Sequence, residues 1–474
     1  MAKLCMCQTG AALDFVTDLK PEICGKRTSS RLPAMLRRTI TGLALGTLLI
    51  GAAGCGDVFR PPVAAISPVG PAAQPTKYDV VVSDPGNGKP GLFTMVDFSG
   101  DTVMNTTSIG IAPKYFILGY SGTEAYVLNG DGSINSFGVS TYLLSNQIQT
   151  STLFSGAGAT SLFPGSSYTY ITEPYPAGPN PPSVAEAQGS PPSVKQELTV
   201  GANPVFIAGN PGSSRIYAIS KGANNVTAIQ TATNTILNTI PVGTAPVYGV
   251  MTSDNNRAFI LNSGSNSVSV INVNTNQLDS SPIANPIPVG GGPVWADLYA
   301  QGSLLVTANS TGNSVSIISI PLCSIVALPG NPTCDASNPT DAATFGTVLA
   351  TVPVGTDPTN VSILQDGTRA YVANTNAGNP TGGSVSVVDL TKFTVTKTIP
   401  FDGNTSNPDG STNVNHGPLC HPNFINTSVG TPTGKVYVTC ADGQLLTVLE
   451  TQTDTVRTTI NLQGYAVQNR VTAQ

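Results

Sequence analysis

Both histidines of this 474-residue chain, His416 and His421, flank Cys420 in the segment NHGPLCHPN. Two imidazoles and a thiolate are a donor set that suits a soft metal ion. The same cysteine could instead be oxidised, and a disulfide would remove the thiolate the metal needs. Covalent haem attachment requires Cys-x-x-Cys-His; Gly417 stands where the first cysteine would be, so that attachment is excluded. A second pair, Cys323 and Cys334, closes a short loop inside PLCSIVALPGNPTCDASNPTDAATFG. In an oxidising compartment a disulfide is the default there, worth at most ~3 kcal/mol by loop-closure entropy. No Ser-His-Asp arrangement is legible.

The elements that would have to position these groups are short strands. Only 10% of residues are charged, against ~25% in ordinary domains, while glycine (49) and proline (38) are abundant. Long amphipathic helices need Glu, Lys, Arg and Leu on their faces, so the composition argues for strands joined by turns.

The amino end reads separately. From Met35, MLRRTITGLALGTLLIGAAGC places two arginines before an apolar run of about fifteen residues and small residues leading to Cys55. The run is too short to span a ~30 Å bilayer as a helix and has the flanks of a secretory signal. It resembles a bacterial lipoprotein signal, which implies that residues 35–54 are removed and that Cys55 is lipidated; Ala52 departs from the usual Leu. Residues 1–34 fit no targeting signal, so Met35 is read as the true start. Residues 55–76 then form a Pro-rich tether reaching roughly 60 Å at ~3.1 Å per residue. From Cys55 onward there are 14 Lys/Arg against 23 Asp/Glu, a formal charge of −9, with no general attraction for nucleic acid or anionic headgroups. The expected address is the cell envelope, and Gly56 at the second mature position favours the outer membrane.

Residues 77–474 repeat. Val-Gly or its analogue recurs at Gly110, Gly158, Gly201, Gly243, Gly290, Gly355, Gly403 and Gly464, with spacings of 42 to 65. A period in the forties suits a four-stranded propeller blade. Within the unit after Gly243, APVYGVMTS, RAFILN, SVSVINV and QLDSSPIANPIPVG read as strands A to D. Strand B recurs as YDVVVSD (78–84), EAYVLN (124–129), SYTYIT (167–172), RIYAIS (215–220), RAFILN (257–262), LLVTAN (304–309), RAYVAN (369–374) and KVYVTC (435–440). The fold class is all-β: one propeller of eight blades, or seven if the weak SYTYIT unit is an insertion. The first unit lacks strand A, and GYAVQNRVTAQ at the carboxyl end has the length to supply it and remove the open edges.

These residues resemble the YVTN-family propeller repeat, seen as YVAN at Tyr371–Asn374 and YVTC at Tyr437–Cys440 and matched best between Gly201 and Pro400. The resemblance implies a propeller, often on secreted or surface proteins, and leaves function open. Strand A starts converge on a channel mouth, where the residue before the strand A proline is Ala112, Asn203, Ala245, Gly292, Asp357 and His421 in turn. Asn203, Asp357 and His421 are its polar members, expected to solvate strand ends or, at the mouth, to touch a ligand. Propeller lactonases use acidic residues, Asn and sometimes calcium, of which Asp357 with Asn203 is a thin version; quinone-dependent propeller dehydrogenases stack their cofactor on tryptophan, and Trp295 is the only one here. Cys440 stands in the column filled by Asn129, Asn262, Asn309 and Asn374, and Cys420 lies two residues before Pro422. Antiparallel neighbours there approach within reach of a bridge, so a Cys420–Cys440 disulfide is expected, with His416 and His421 binding no metal. The leading reading is an exported, lipid-anchored monomer that needs no cofactor and whose loop tips of Thr, Ser, Asn and Gly suit broad contact with protein or polysaccharide; a channel lined by Ala, Gly and Thr would favour it, and a cleft with several carboxylates and a divalent ion would favour an enzyme. The runner-up is a lactonase-like hydrolase. On the anchor, Cys55→Ser should move the protein from the membrane to the soluble fraction; unchanged membrane fractionation would sink the lipid anchor.

Overall fold

The computed structural model describes residues 77–472, apart from 120–123, 140–148, 153–157, 175–180, 189–192, 211, 281–283, 300–303, 322–343 and 429–433. Cys55 and the Cys323/Cys334 pair therefore lie outside the described residues. The described chain is all-β and forms eight antiparallel blades, each ordered A-B-C-D from the centre outward. The SYTYIT unit is a blade in its own right, with strands Leu162–Pro164, Thr169–Glu173, Ser183–Gln188 and Ser193–Thr199, so the seven-blade alternative falls. Blade 1 takes its strand A from the carboxyl end: Tyr465–Val471 pairs with Tyr78–Asp84 in a register running from Asp79↔Val471 to Asp84↔Tyr465. Tyr78 N donates to Thr472 Oγ1 at 2.9 Å across that closure. Lys435 Nζ and Arg457 Nε of blade 8 both reach the Asp101 carboxylate of blade 1, at 2.6 and 2.7 Å.

The ring has no single core. Its buried apolar side chains fall into eight clusters, each shared by two neighbouring blades, such as Val306, Ile317 and Val361 between blades 6 and 7. Both faces of every strand B are thus covered, which is why Val, Ile, Ala and Tyr run through it without polar alternation.

The repeat motif has a local cause. In blades 5, 6 and 7 the strand B asparagine (Asn262, Asn309, Asn374) is fully buried, and its Nδ2 donates to two serine hydroxyls of strand C at 2.9–3.2 Å. The inner serine in turn accepts from the backbone N–H of the glycine that ends the preceding strand D, as Gly290 N does to Ser316 Oγ at 3.1 Å. A Cβ on Gly355 would sit 2.7 Å from the Asn374 amide, so the glycine is required by close approach rather than by a turn. Blade 2 builds the same node from Asn129, Ser133 and Asn135. The motif tyrosine works at the other end of strand B: Tyr170, Tyr217 and Tyr371 each donate to an Asn or Asp held at positive φ in the next blade's C–D turn, namely Asn234 (2.8 Å), Asn276 (3.0 Å) and Asp454. One end of Tyr-Val-x-Asn therefore binds strands within a blade and the other ties the blade to its neighbour.

Blade 8 departs from this scheme. The connector from Phe401 to His421 is long, and a disulfide between buried Cys420 and Cys440 (Cα–Cα 5.9 Å) replaces the asparagine node. Removing one node should be measurable. Asn374→Ala leaves two buried hydroxyls without their donor and should lower unfolding free energy by about 1–3 kcal/mol; Gly355→Ala should cost about 1–3 kcal/mol by overpacking. Because the added methyl collides with the Asn374 amide, the double variant should lose less than the sum, and strict additivity in urea denaturation would contradict the node.

Candidate functional site

Asn203, Asp357 and His421 start strand A of blades 4, 7 and 8. Among the described residues none of the three bonds another. Asn203 and Asp357 share φ near 52° with Ala112, and Ala245 and Gly292 lie in the same left-handed region at 49° and 61°. Asn, Asp and Gly tolerate that conformation best, so backbone geometry explains the polar members of this ring without a ligand. Three of these positions also receive a staple from the preceding blade: the B–C turn asparagines Asn224, Asn266 and Asn313 accept from the backbone N–H of Ala245, Gly292 and Asp357 at 2.8–2.9 Å. The Asp357 carboxylate accepts from Ser310 Oγ.

His421 is held on both ring nitrogens. Nδ1 lies 2.5 Å from Asp442 Oδ2 and Nε2 lies 2.9 Å from the Asn379 carbonyl of blade 7. Two acceptors demand two N–H groups, so this geometry suits imidazolium and leaves no lone pair for a metal. The Asp442 hydrogen bond raises the His421 pKa above its ordinary value, helped by the Asn379 carbonyl against the opposing effect of burial. His416 Nδ1 sits 2.9 Å from Asp402 Oδ1 on the connector, away from Cys420, whose sulfur is in the disulfide. Among the described residues no group of three His, Cys, Asp or Glu side chains could hold a metal ion.

A cavity of about 400 Å³ lies toward the other ends of the strands A, away from this ring. Its floor is aromatic. Two residues after the strand A proline stand Tyr115, Phe206, Tyr248, Trp295 and Phe424 of blades 2, 4, 5, 6 and 8. Successive rings touch, with centroids 6.1, 4.5, 4.1 and 5.2 Å apart; Tyr248 and Trp295 are stacked at 24°, and Phe424 meets Trp295 edge-on at 81°. Blades 7 and 1 place Asn360 and Gln468 at this level, whose side-chain oxygens accept from Ile425 N and Phe116 N of the next blade at 3.1 and 2.8 Å. Beyond the floor the wall carries Asp297, Ser362, Asn426, Thr427 and Arg470. Asp297 is half-buried: desolvation raises its pKa, opposed by hydrogen bonds from the Ile363 and Leu298 amides at 2.8 Å each and by the charge of Arg470. Burial likewise pushes the Tyr115 phenol up to about 12. Among the described residues the cavity shows neither a channel of Ala, Gly and Thr nor several carboxylates, but an aromatic layer under a polar cup. Its signal was present in the sequence as Pro-x-aromatic at PKY, PVF, PVY, PVW and PNF. Arg470 carried no signal, because it reaches the channel only through ring closure.

No family model matches the chain, and no curated protein matches it. Solved structures do. The dihydro-heme d1 dehydrogenase NirN, in complex with DHE, is similar with a TM-score of 0.56 at 11% identity, over 84% of this chain and 75% of that one. A putative 6-phosphogluconolactonase from Bacteroides uniformis is similar with a TM-score of 0.50 at 10% identity, over 84% of this chain and all of that one. The shared property is the propeller fold. At such identities chemistry does not carry over, and the cup must be read from its own residues.

The His421 pair generates a pH test. A histidine whose folded pKa is raised adds stability that is complete below its unfolded value near ~6.5 and is lost as pH rises through the folded value. The stability difference between the parent and His421→Gln should thus be larger at pH 6 than at pH 9. A difference that grows with pH would contradict the imidazolium reading.

Proposed function

We propose that this chain is an exported, lipid-anchored propeller of the YVTN-repeat kind that acts as a saccharide-binding module, taking its ligand in the cup between the strand A ends. The observation that supports this reading is the cup itself: a continuous aromatic floor beneath a rim of hydroxyl and amide side chains. A pyranose ring has an apolar C–H face that loses little on leaving water when it meets an aromatic surface, and hydroxyls that need partners at its edge. Trp295, Tyr248 and Phe424 offer the surface; the exposed Gln365 amide offers a partner, and the Ser362 and Thr427 hydroxyls, bonded to each other at 3.0 Å, offer their remaining lone pairs. A volume of about 400 Å³ suits one or two sugar rings, within the range of pockets that bury small ligands. An envelope location would set the cup among polysaccharides, and the tether from Cys55 would let the propeller reach them as a monomer.

The lactonase-like reading draws on the fold shared with putative 6-phosphogluconolactonases. Hydrolysis needs a group free to activate water or an attacking oxygen. The cup's one acidic lining residue, Asp297, spends its carboxylate on two backbone amides, which favours binding over turnover.

The chain contains a single tryptophan and it lies in the cup, so intrinsic fluorescence reports on this site alone. Titration with soluble oligosaccharides should shift or quench Trp295 emission with a saturable dependence, and Tyr248→Ala should weaken that binding about 10-fold or more, as loss of a stacked aromatic does. Unchanged emission across a panel of neutral and acidic oligosaccharides would refute the reading.

A further inference from the structure

The cup contains one cation whose hydrogen-bonding capacity the protein does not use. Arg470 lies on the ring-closing strand Tyr465–Val471, and its guanidinium carbon stands 4.5 Å from the Phe424 centroid and 5.8 Å from that of Trp295. Cation–π contact holds the guanidinium on the aromatic floor. Among the described residues no oxygen accepts a hydrogen bond from that guanidinium and no carboxylate pairs with it, although it is only partly exposed. The acidic lining residue Asp297 accepts its hydrogen bonds from the Ile363 and Leu298 amides and meets Arg470 only through the attraction of their charges, as does the buried Asp79. Arg369 pairs with Asp454, and Arg457 and Lys435 with Asp101, whereas the half-buried Arg215 reaches only the Ser214 hydroxyl. A half-buried fork of N–H donors at the floor of a cavity is a receptor for a planar anion, because guanidinium and carboxylate match in bidentate geometry.

We propose that the ligand is an acidic sugar, a hexuronate at the end of a polysaccharide chain, whose carboxylate docks on Arg470 while its ring lies on the aromatic floor. The inference rests on the saccharide reading above and narrows it. The carboxylate would sit where the floor meets the wall, and the ring hydroxyls would face Ser362, Gln365 and Thr427. The chain's net negative charge argues against capture of polyanions in general, so the discrimination must come from this one residue.

The test uses Trp295 emission of the mature protein with glucuronate, galacturonate, their methyl esters, glucose, galactose and acetate as probes. The acids should bind about 10- to 100-fold more tightly than the esters and neutral sugars, the range expected for hydrogen bonds to a charged group. Arg470→Gln should erase that preference while neutral sugars still bind; Arg470→Lys should keep only part of it, since an ammonium lacks the fork. Equal affinity for acids and esters in the parent protein, which needs no variant to fold, would overturn the proposal while leaving saccharide binding in place. So would acetate matching the uronates, which would make the site an anion site only. No response to any sugar would overturn both readings together.

Discussion

Four of the eight blades bury a strand B carboxamide, Asn129, Asn262, Asn309 and Asn374, and the packing of those blades depends on how that group is bonded. With neighbouring blades pressed on both faces, strand B has no solvent to turn to. The Nδ2 groups of Asn262, Asn309 and Asn374 must find acceptors inside the blade and do so on the strand C serines, while the Asn262 and Asn374 oxygens stay without a partner among the described residues. An unmet buried donor costs ~1–3 kcal/mol, enough to fix the register of B against C in these blades. The serine then fixes the glycine that delivers the chain to the next strand A. One polar node therefore sets three strands and the entry to the channel. Blade 8, whose entry is a longer connector, uses a disulfide at the same place.

This economy explains what could be read beforehand. Seven of the eight strand B segments begin and end in the structure where sequence spacing put them, and the eighth begins at Thr169 rather than Ser167. Their motifs are local: tyrosine, asparagine, paired serines and glycine each answer to a neighbour at fixed offset. Ring closure was legible because a missing strand A at one end matched an unassigned strand at the other. The candidate site was less so. Asn203 and Asp357 drew notice as polar exceptions in a small-residue column, yet their φ values near 52° account for them. His421 drew notice as one of two histidines, and it proves to be a strut between Asp442 and the Asn379 carbonyl.

The aromatic floor obeys a different logic from the blades. Its residues recur at one strand A position in five of eight blades, where they touch one another around the channel and where Tyr115, Phe206, Tyr248 and Trp295 also pack on the interblade clusters. Asn360 and Gln468 at the same level use their oxygens to bind the next blade's backbone, so polar side chains also suffice for closure at that depth. The aromatic choice is thus not dictated by the ring, and it puts the chain's single tryptophan at the base of the cup. Arg470 could not have been placed from sequence, since its position follows from pairing across nearly the whole chain, Val80↔Arg470.

The central claim is that ligand enters at the carboxyl ends of the strands A and not at the ring of strand A starts. Amides on the inner edge of strand A lack ladder partners, and those not bonded by a neighbouring side chain, as Ile425 and Ile363 are, exchange with solvent unless something covers them. Hydrogen–deuterium exchange of the mature protein, with and without a saturating acidic oligosaccharide, measures that cover directly. The expected result is slowed exchange in 295–299, 361–365, 424–428 and 465–471, with 201–204 and 355–358 unchanged. Protection confined to 201–204, 355–358 and 419–422, or to the outer strands D, would contradict it.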